Sequence, residues 1–184
     1  MKSALTLNWL FAVALAGGCV HAQAQTGAGT SAQPAAAPSR TQSRAAQDAA
    51  EAARATVAAV ESAARQAEEA AQDTSAGAAR TVRRLVRKAA EAARNAQRRF
   101  ATASASASGD ARELARKAEE AGRKADAAVH DARQKAEHAA RGAGRASKED
   151  AAKAAEATRA ALKHAGQAAR EAADAARAAA DKGR

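Results

Sequence analysis

Two histidines near the middle of the chain have a spacing that could hold a metal ion. His130 and His138 lie two helical turns apart, with Gln134 between them and with Asp131 and Glu137 beside them. Residues four apart share one face of a helix. A zinc site, however, needs three or four converging ligands in a shell that excludes water, and this charged stretch offers no cysteine. We therefore expect solvated histidines and no metal site.

Other arrangements that would suggest catalysis are incomplete. The stretch "RGAGRAS" at 141–147 contains a G-x-G pattern, but no strand precedes it and the third glycine of a dinucleotide-binding loop is missing. A hinge or a helix stop is the better interpretation. Without a buried pocket, nothing would shift the pKa values of the carboxylates. We predict no enzymatic activity, no cofactor and no small-molecule substrate.

The first 24 residues have the order of a secretory signal peptide. Lys2 and the amino terminus precede the apolar run "ALTLNWLFAVALAG", and small residues then suit cleavage after Ala22 or Ala24. The run is too short for a comfortable membrane span. We predict export, to the periplasm or out of the cell.

Cys19 would anchor the protein if it were lipidated. The stretch "LAGGC" resembles a bacterial lipoprotein box, which implies a lipid-anchored protein at the outer membrane. The departure is Ala16, which stands three residues before the cysteine, where a large aliphatic residue is usual. The alternative is that Cys19 leaves with the signal peptide, so that the mature chain has no cysteine and no disulfide.

Alanine is by far the most frequent residue of the mature chain. From Gln25 onward it holds 61 alanines and only nine larger apolar residues: Val57, Val60, Val82, Leu85, Val86, Phe100, Leu114, Val129 and Leu162. Burying a methylene contributes about 0.8 kcal/mol, whereas ordering one residue's backbone costs about 1–2 kcal/mol. We therefore do not expect a conventional core. Alanine is nonetheless the best helix former.

Breaks in the alanine-rich pattern divide the chain. Residues 25–39, which contain Pro34 and Pro38, are predicted to be a flexible linker. Residues 40–184 are predicted to be all-α, with no strand and with about four helices. These helices lie near 40–73, 78–100, 110–141 and 148–181. Capping signals open the last two of them, at Asp110 and at Ser147.

A repeat of about 3.5 residues runs along the third and fourth helices, which is typical of coiled coils. In the third helix it selects Ala111, Leu114, Ala118, Ala121, Ala125, Ala128, Ala132, Lys135, Ala139 and Gly142. In the fourth it selects Ala151, Ala154, Thr158, Ala161, Ala165, Ala168, Ala172, Ala175 and Ala179. Such seams predict weak contact in a loose antiparallel bundle or a weak homo-oligomer. The alternative is extended helices whose alanine stripe meets no partner.

The second helix differs from the others in charge. Against one acid, Glu91, it carries eight basic residues: Arg80, Arg83, Arg84, Arg87, Lys88, Arg94, Arg98 and Arg99. Its larger apolar residues, Val82, Leu85, Val86 and Phe100, lie together on the opposite side of the helix. This segregation is typical of a helix that lies in an anionic membrane surface, with the four apolar residues facing the membrane.

Two other interpretations of this helix remain open. The basic face could bind an anionic envelope polymer, a polysaccharide or nucleic acid. Nucleic acid is less favoured, because the protein is predicted to be exported and its mature chain holds one Phe and no Tyr or Trp for base stacking. Alternatively, the helix is the best-packed member of a weak bundle and its arginines are merely solvated.

From residue 40 onward the chain resembles two families of alanine-rich helical proteins. Stretches such as "AAEAARATVAAVESAARQAEEAAQD" resemble group-3 late-embryogenesis-abundant proteins, which implies protection of membranes and proteins. The strict 11-residue repeat is absent, and arginine replaces lysine as the main cation. The stretch "KAEEAGRKADAAVHDARQKAEHAAR" resembles alanine-zipper outer-membrane lipoproteins, which implies a lipid-anchored coiled coil. We predict an exported, non-enzymatic protein with a structural or protective role at the cell envelope.

Overall fold

The structure is a computed structural model, and it describes residues 40–143 and 145–182. This part of the chain consists mainly of four long helices. They are α1 (Arg40–Gln72), α2 (Ala76–Ser106), α3 (Gly109–Gly142) and α4 (Lys148–Lys182). No strand occurs in these residues. The prediction of an all-α fold with four helices is therefore confirmed. The signal peptide, Cys19 and the linker lie outside the described residues.

The helices form an antiparallel four-helix bundle. Each connection is short, at most five residues between Gly142 and Lys148, so consecutive helices must run in opposite directions side by side. α1 and α3 each pack against both α2 and α4, whereas the diagonal pairs α1–α3 and α2–α4 hardly touch. Of the two arrangements that the sequence left open, extended helices and an antiparallel bundle, the structure has the bundle. Within the described residues, none of the helices has the length and hydropathy needed to cross a membrane.

Alanine methyl groups form most of the core. Among the residues that the structure describes, the larger buried apolar side chains are Val60, Val82, Val86, Phe100, Val129 and Leu162. The spacing between packed helices depends on the side chains at the contact, and a methyl group lets two backbones come close. The small number of large apolar residues predicted that the chain would lack a conventional core. This prediction is corrected, because alanines supply most of the buried side chains.

Most of the buried positions in every helix repeat every three and four residues. In α1 the repeat runs through Ala46, Ala49, Ala53, Thr56, Val60, Ala63, Ala67 and Ala70. In α2 it runs through Val82, Val86, Ala89, Ala93, Ala96, Phe100 and Ala103. This is the heptad pattern of a coiled coil. All four of these buried seams point into the bundle.

The predicted seams of α3 and α4 were half right. The structure buries Ala118, Ala121, Ala125 and Ala132 as predicted, but the other positions of the heptad lie one residue later, so that Ala115 replaces Leu114. The same shift occurs in α4, where Ala161 is buried as predicted but Leu162 takes the heptad position. The remaining shifted positions are Gly122, Val129, Ala136, Ala155, Ala169 and Ala176. Val129 and Leu162 mark the correct register because they are the large apolar residues of these segments.

Two threonines are the only polar residues buried in the described core. Thr56 and Thr158 are 2% and 0% exposed, respectively. Each hydroxyl donates to the carbonyl four residues earlier, to Ala52 and to Ala154, at 2.9 Å in both cases. Because these bonds lie within one helix, the core needs no polar contact between helices.

Helix α2 is longer than the sequence predicted. The stretch "ATASAS" was predicted to interrupt the chain after residue 100, but α2 continues to Ser106. Thr102 donates its hydroxyl to the Arg98 carbonyl, and Ser106 donates to Thr102. Bonds of this kind let hydroxyl residues remain in a helix, and the buried Ala103 adds one more core contact.

Serine residues cap two of the helices. Ser75 accepts from the Ala78 amide at the start of α2, and Ser147 accepts from the Asp150 amide at the start of α4, both at 3.1 Å. The predicted cap at Ser147 is confirmed. The predicted cap at Asp110 is wrong, because α3 already begins at Gly109 and Asp110 lies in its first turn. There its negative charge still interacts favourably with the helix dipole.

Candidate anion-binding surface

The outward side of α2 gives this helix the largest net charge of the four helices. Its heptad buries one side of the helix, so the basic residues are placed on the other side, and each is exposed or half-exposed. We call this surface the basic face; it comprises Arg80, Arg83, Arg84, Arg87, Lys88, Arg94, Arg98 and Arg99. Glu91 is the one acid of α2 and is also exposed. All of the residues predicted for anion binding therefore share one surface.

The neighbouring helices hold two residues of the basic face in ion pairs. Arg87 Nη2 lies 3.9 Å from Glu137 Oε1 on α3, and Arg99 Nη1 lies 3.7 Å from Asp48 Oδ2 on α1. These half-exposed pairs fix the two edges of the face, and each contributes little stability. Neither pair could be predicted from the sequence, because both depend on which helices lie beside α2.

Most of the basic face has no acidic partner. Within the described chain, no carboxylate lies within ion-pair distance of five of its members, Arg80, Arg83, Arg84, Lys88 and Arg98. Arg94 donates its Nε to the Ala90 carbonyl at 3.3 Å, which leaves its terminal nitrogens for other partners. The other three helices pair many of their charges along one helix or with each other, as Arg159 does with Glu68 and Arg170 with Glu61.

The interpretation of the apolar side of α2 as membrane-facing is corrected for the folded bundle. Val82, Val86 and Phe100 are 3%, 0% and 2% exposed, and Leu85 is half-buried against the same core. Neighbouring helices cover this side because an alanine-rich bundle has few other large side chains to bury. The four residues can meet lipid only if the bundle opens.

Three glutamates of α3 have lowered pKa values. The hydrogen bond from Arg133 to Glu137 holds the pKa of that carboxyl below its ordinary value of 4.5. Hydrogen bonds from Lys117 and Lys124 lower the pKa of Glu113 and of Glu120, respectively. All three carboxylates are therefore ionised at neutral pH. Glu137 pairs with Arg133, which lies one turn before it in the helix. It forms no ion pair with Arg141, which lies one turn after it.

These lowered pKa values predict loss of stability in acid. The pKa of each of these glutamates is lower in the folded protein than in the unfolded chain. The ionised glutamates therefore stabilise the fold at any pH above the unfolded pKa, and this stabilisation is lost as the pH falls through the folded pKa. We expect the melting temperature to fall as the pH drops below 4.5, the ordinary pKa of these carboxyls. Circular dichroism melts over this range would measure it. The triple variant Glu113→Gln, Glu120→Gln, Glu137→Gln should show a smaller pH dependence, and an equal dependence would contradict the assignment.

The histidine face remains open to solvent. His130, Gln134 and His138 are all exposed. His138 and Gln134 line a shallow cleft between α3 and α4 together with Lys135 and Arg141. Among the described residues, no group of three or more His, Cys, Asp or Glu side chains is placed to hold a metal ion. The G-x-G pattern begins where α3 ends, at Gly142.

Two small apolar cavities lie inside the bundle, whereas the wider clefts, between α3 and α4 and between α1 and α4, are lined by charged side chains. One, of about 30 Å³, lies beside Thr158 and Val82 near the end of the bundle where α2 and α4 begin. Another, of about 10 Å³, lies beside Phe100 and Gly122. Both volumes are far below the roughly 300–1,000 Å³ of a ligand pocket. The main chemical feature of the described residues is therefore a charged surface.

Comparison with protein-family models, with curated proteins and with solved structures gave no match to this chain.

Proposed function

We propose that this protein is exported and non-enzymatic, and that it contacts anionic membrane or polymer surfaces of the cell envelope through the basic face of α2. The observation that carries the proposal is the concentration of net positive charge on one helix. α2 has eight basic residues and one acid, whereas the other three helices carry nearly balanced charges. The neighbouring helices neutralise only Arg87 and Arg99 at its edges.

Binding by the folded bundle would be electrostatic. The large apolar side chains of α2 are covered by the neighbouring helices, so the arginines meet the anionic surface without insertion of the apolar side. Exposed charges are strongly screened by salt. We therefore expect binding that weakens steeply with salt, and salt-resistant binding to lipid would indicate that the bundle had opened.

The proposed biological role is structural or protective. It is supported by the signal-peptide pattern of residues 1–24, and by the resemblance to late-embryogenesis-abundant proteins and to alanine-zipper lipoproteins. Lipidation of Cys19 would hold the bundle at the outer membrane, whereas cleavage after Ala22 or Ala24 would release it. The mass of the mature amino terminus distinguishes these two forms.

Nucleic acid is the rival ligand for a basic face. Proteins that bind single strands usually stack bases on aromatic side chains. Residues 40–182 contain no Tyr or Trp, and their single Phe, Phe100, is 2% exposed. The proposal therefore favours an envelope anion, and retardation of DNA tests the rival.

Removing two charges from the basic face should weaken binding to anionic vesicles. Each basic residue near an anionic membrane contributes about 1 kcal/mol, so Arg84→Gln with Arg98→Gln should reduce affinity about 30-fold at low salt. Co-sedimentation with vesicles that contain phosphatidylglycerol, over a salt series, measures the change.

A charge-matched control variant lies on the opposite side of the bundle. Lys163 and Arg177 are exposed on α4, the helix diagonal to α2. Lys163→Gln with Arg177→Gln removes the same net charge and should change affinity far less. Equal losses from the two variants would show that net charge, and not the basic face, determines binding.

A further inference from the structure

We infer that the basic face of α2 binds a linear acidic polysaccharide that lies along the helix axis. This inference rests on the proposed function and narrows its partner from anionic surfaces in general to one class of polymer. It depends on the shape of the basic face, on the charges beside it and on the single acid within it.

The basic face is long and narrow. From Arg80 to Arg98 the helix rises about 27 Å, at about 1.5 Å per residue. Across the helix the face is one helix wide, because ion pairs with Glu137 and Asp48 end it on the two sides. The positive charge is therefore arranged as a strip, which matches an extended chain better than a plane.

The free guanidinium groups suit acidic sugars. Arginine presents planar, paired donors that bind a carboxylate or a sulfate in a bidentate manner. Arg80, Arg84 and Arg98 follow one another along the outward side and have no acidic partner among the described residues. A polymer with one anionic group per repeat could contact each of them in turn without an apolar anchor.

A flat membrane fits this strip less well. A plane that rests on α2 also approaches α1 and α3, whose carboxylates Asp48 and Glu137 lie beside the strip. These carboxylates already neutralise Arg99 and Arg87, so a plane gains no free cation at either edge. The apolar side chains that would compensate by insertion, Val86 and Phe100 among them, are buried.

Glu91 divides the strip into two groups of cations. It is exposed on the outward side of α2, and the structure forms no ion pair to it within the described residues. The first group extends from Arg80 to Lys88, and the second from Arg94 to Arg99. A polymer that spans both groups must pass over Glu91, whereas a short ligand can occupy one group and avoid it.

The experiment measures affinity against polymer length. Oligogalacturonates of increasing length would be titrated calorimetrically into the protein from residue 25 to residue 184 at low salt. We expect the affinity to rise with oligomer length until the oligomer spans about 27 Å. Longer oligomers should bind each protein molecule no more tightly. Glu91→Gln should raise the affinity of the long oligomers about threefold, as expected when one like charge about 7 Å away in water is removed, and should leave that of the shortest unchanged.

A matched variant separates the local effect from net charge. Glu171 is exposed on α4, the helix diagonal to α2, and Glu171→Gln removes the same charge far from the strip. Equal effects of Glu91→Gln and Glu171→Gln, or an affinity that does not depend on length, would overturn the inference.

Two competing ligands complete the experiment. Tighter binding to phosphatidylglycerol vesicles than to the polymer would overturn the inference and leave the proposed function standing. Tighter binding to a DNA strand of equal charge would overturn both. Binding to the long oligomers, with weaker binding to vesicles and to DNA, is the result that supports the linear polysaccharide.

Discussion

Replacing Leu162 by alanine is expected to lower the free energy of unfolding by about 2–5 kcal/mol, the usual cost of a Leu→Ala change in a core. Leu162 is 0% exposed and lies in one cluster with Val60, Val86 and Val129. Its other neighbours are mostly alanines, whose methyl groups cannot extend into the space left behind. Since small domains have only about 5–15 kcal/mol of stability in total, this one change removes a large share.

A second leucine provides the control for this prediction. Leu114 lies on α3 outside the buried seam and is half-exposed. Leu114→Ala removes the same atoms but leaves no enclosed space, so the loss should be much smaller. Urea unfolding followed by circular dichroism measures both variants. Equal losses would mean that the core around Leu162 is not packed as the structure shows.

The helices could be predicted from the sequence because their signals are local. Alanine favours a helix at every position, and breaks such as "DTSAG" interrupt the pattern. The end of α2 was missed because serine and threonine usually indicate a break, whereas here their hydroxyls bond to carbonyls of the preceding turn. That choice depends on whether the bundle can bury Ala103, which the local sequence does not reveal.

The register of the seams could be predicted only in part because alanines are interchangeable. In pairs such as Ala154 and Ala155 or Ala175 and Ala176, both residues offer the same methyl group. A heptad placed on either member has the same apolar content. The large residues Val129 and Leu162 resolve the ambiguity, since burying them is worth several times more than burying a methyl group.

The basic face could be predicted from the sequence of α2 alone, whereas the burial of its apolar side depends on the neighbouring helices. The segregation of charge on α2 is a property of one helix, and the structure retains it. An apolar helix face indicates that the face is buried against something. The sequence of one helix does not distinguish burial in lipid from burial against neighbouring helices. For this reason Val82, Val86 and Phe100 were interpreted as facing a membrane, although they lie inside the bundle.

A glycine in α3 makes room for the largest core side chain. A Cβ atom built on Gly122 would lie 2.5 Å and 2.6 Å from two ring carbons of Phe100. Both residues are buried, and they line the same small cavity. Glycine in a helix interior costs about 0.5–1 kcal/mol relative to alanine, so its position opposite the ring indicates that packing outweighs helix propensity here.

Gly122→Ala is therefore expected to destabilise the bundle by about 1–3 kcal/mol, the usual cost of overpacking a core. Gly166 is the matched control, because it is buried in α4 but its added Cβ would lie 3.6 Å from Val60 Cγ1, an ordinary contact. Gly166→Ala should stabilise the bundle by about 0.5–1 kcal/mol through helix propensity alone. Thermal and urea unfolding of the two variants should thus give changes of opposite sign.

A third variant tests whether the Phe100 ring causes the loss. Phe100→Leu alone should destabilise the bundle, because it leaves a space beside Gly122. In the Gly122→Ala background the smaller side chain removes the clash and the new methyl group fills part of that space. The two changes should therefore be less harmful together than the sum of their separate effects, a coupling expected only for residues in contact. Strict additivity would show that the ring and the glycine do not touch, and stabilisation by Gly122→Ala alone would contradict the packing described for this layer.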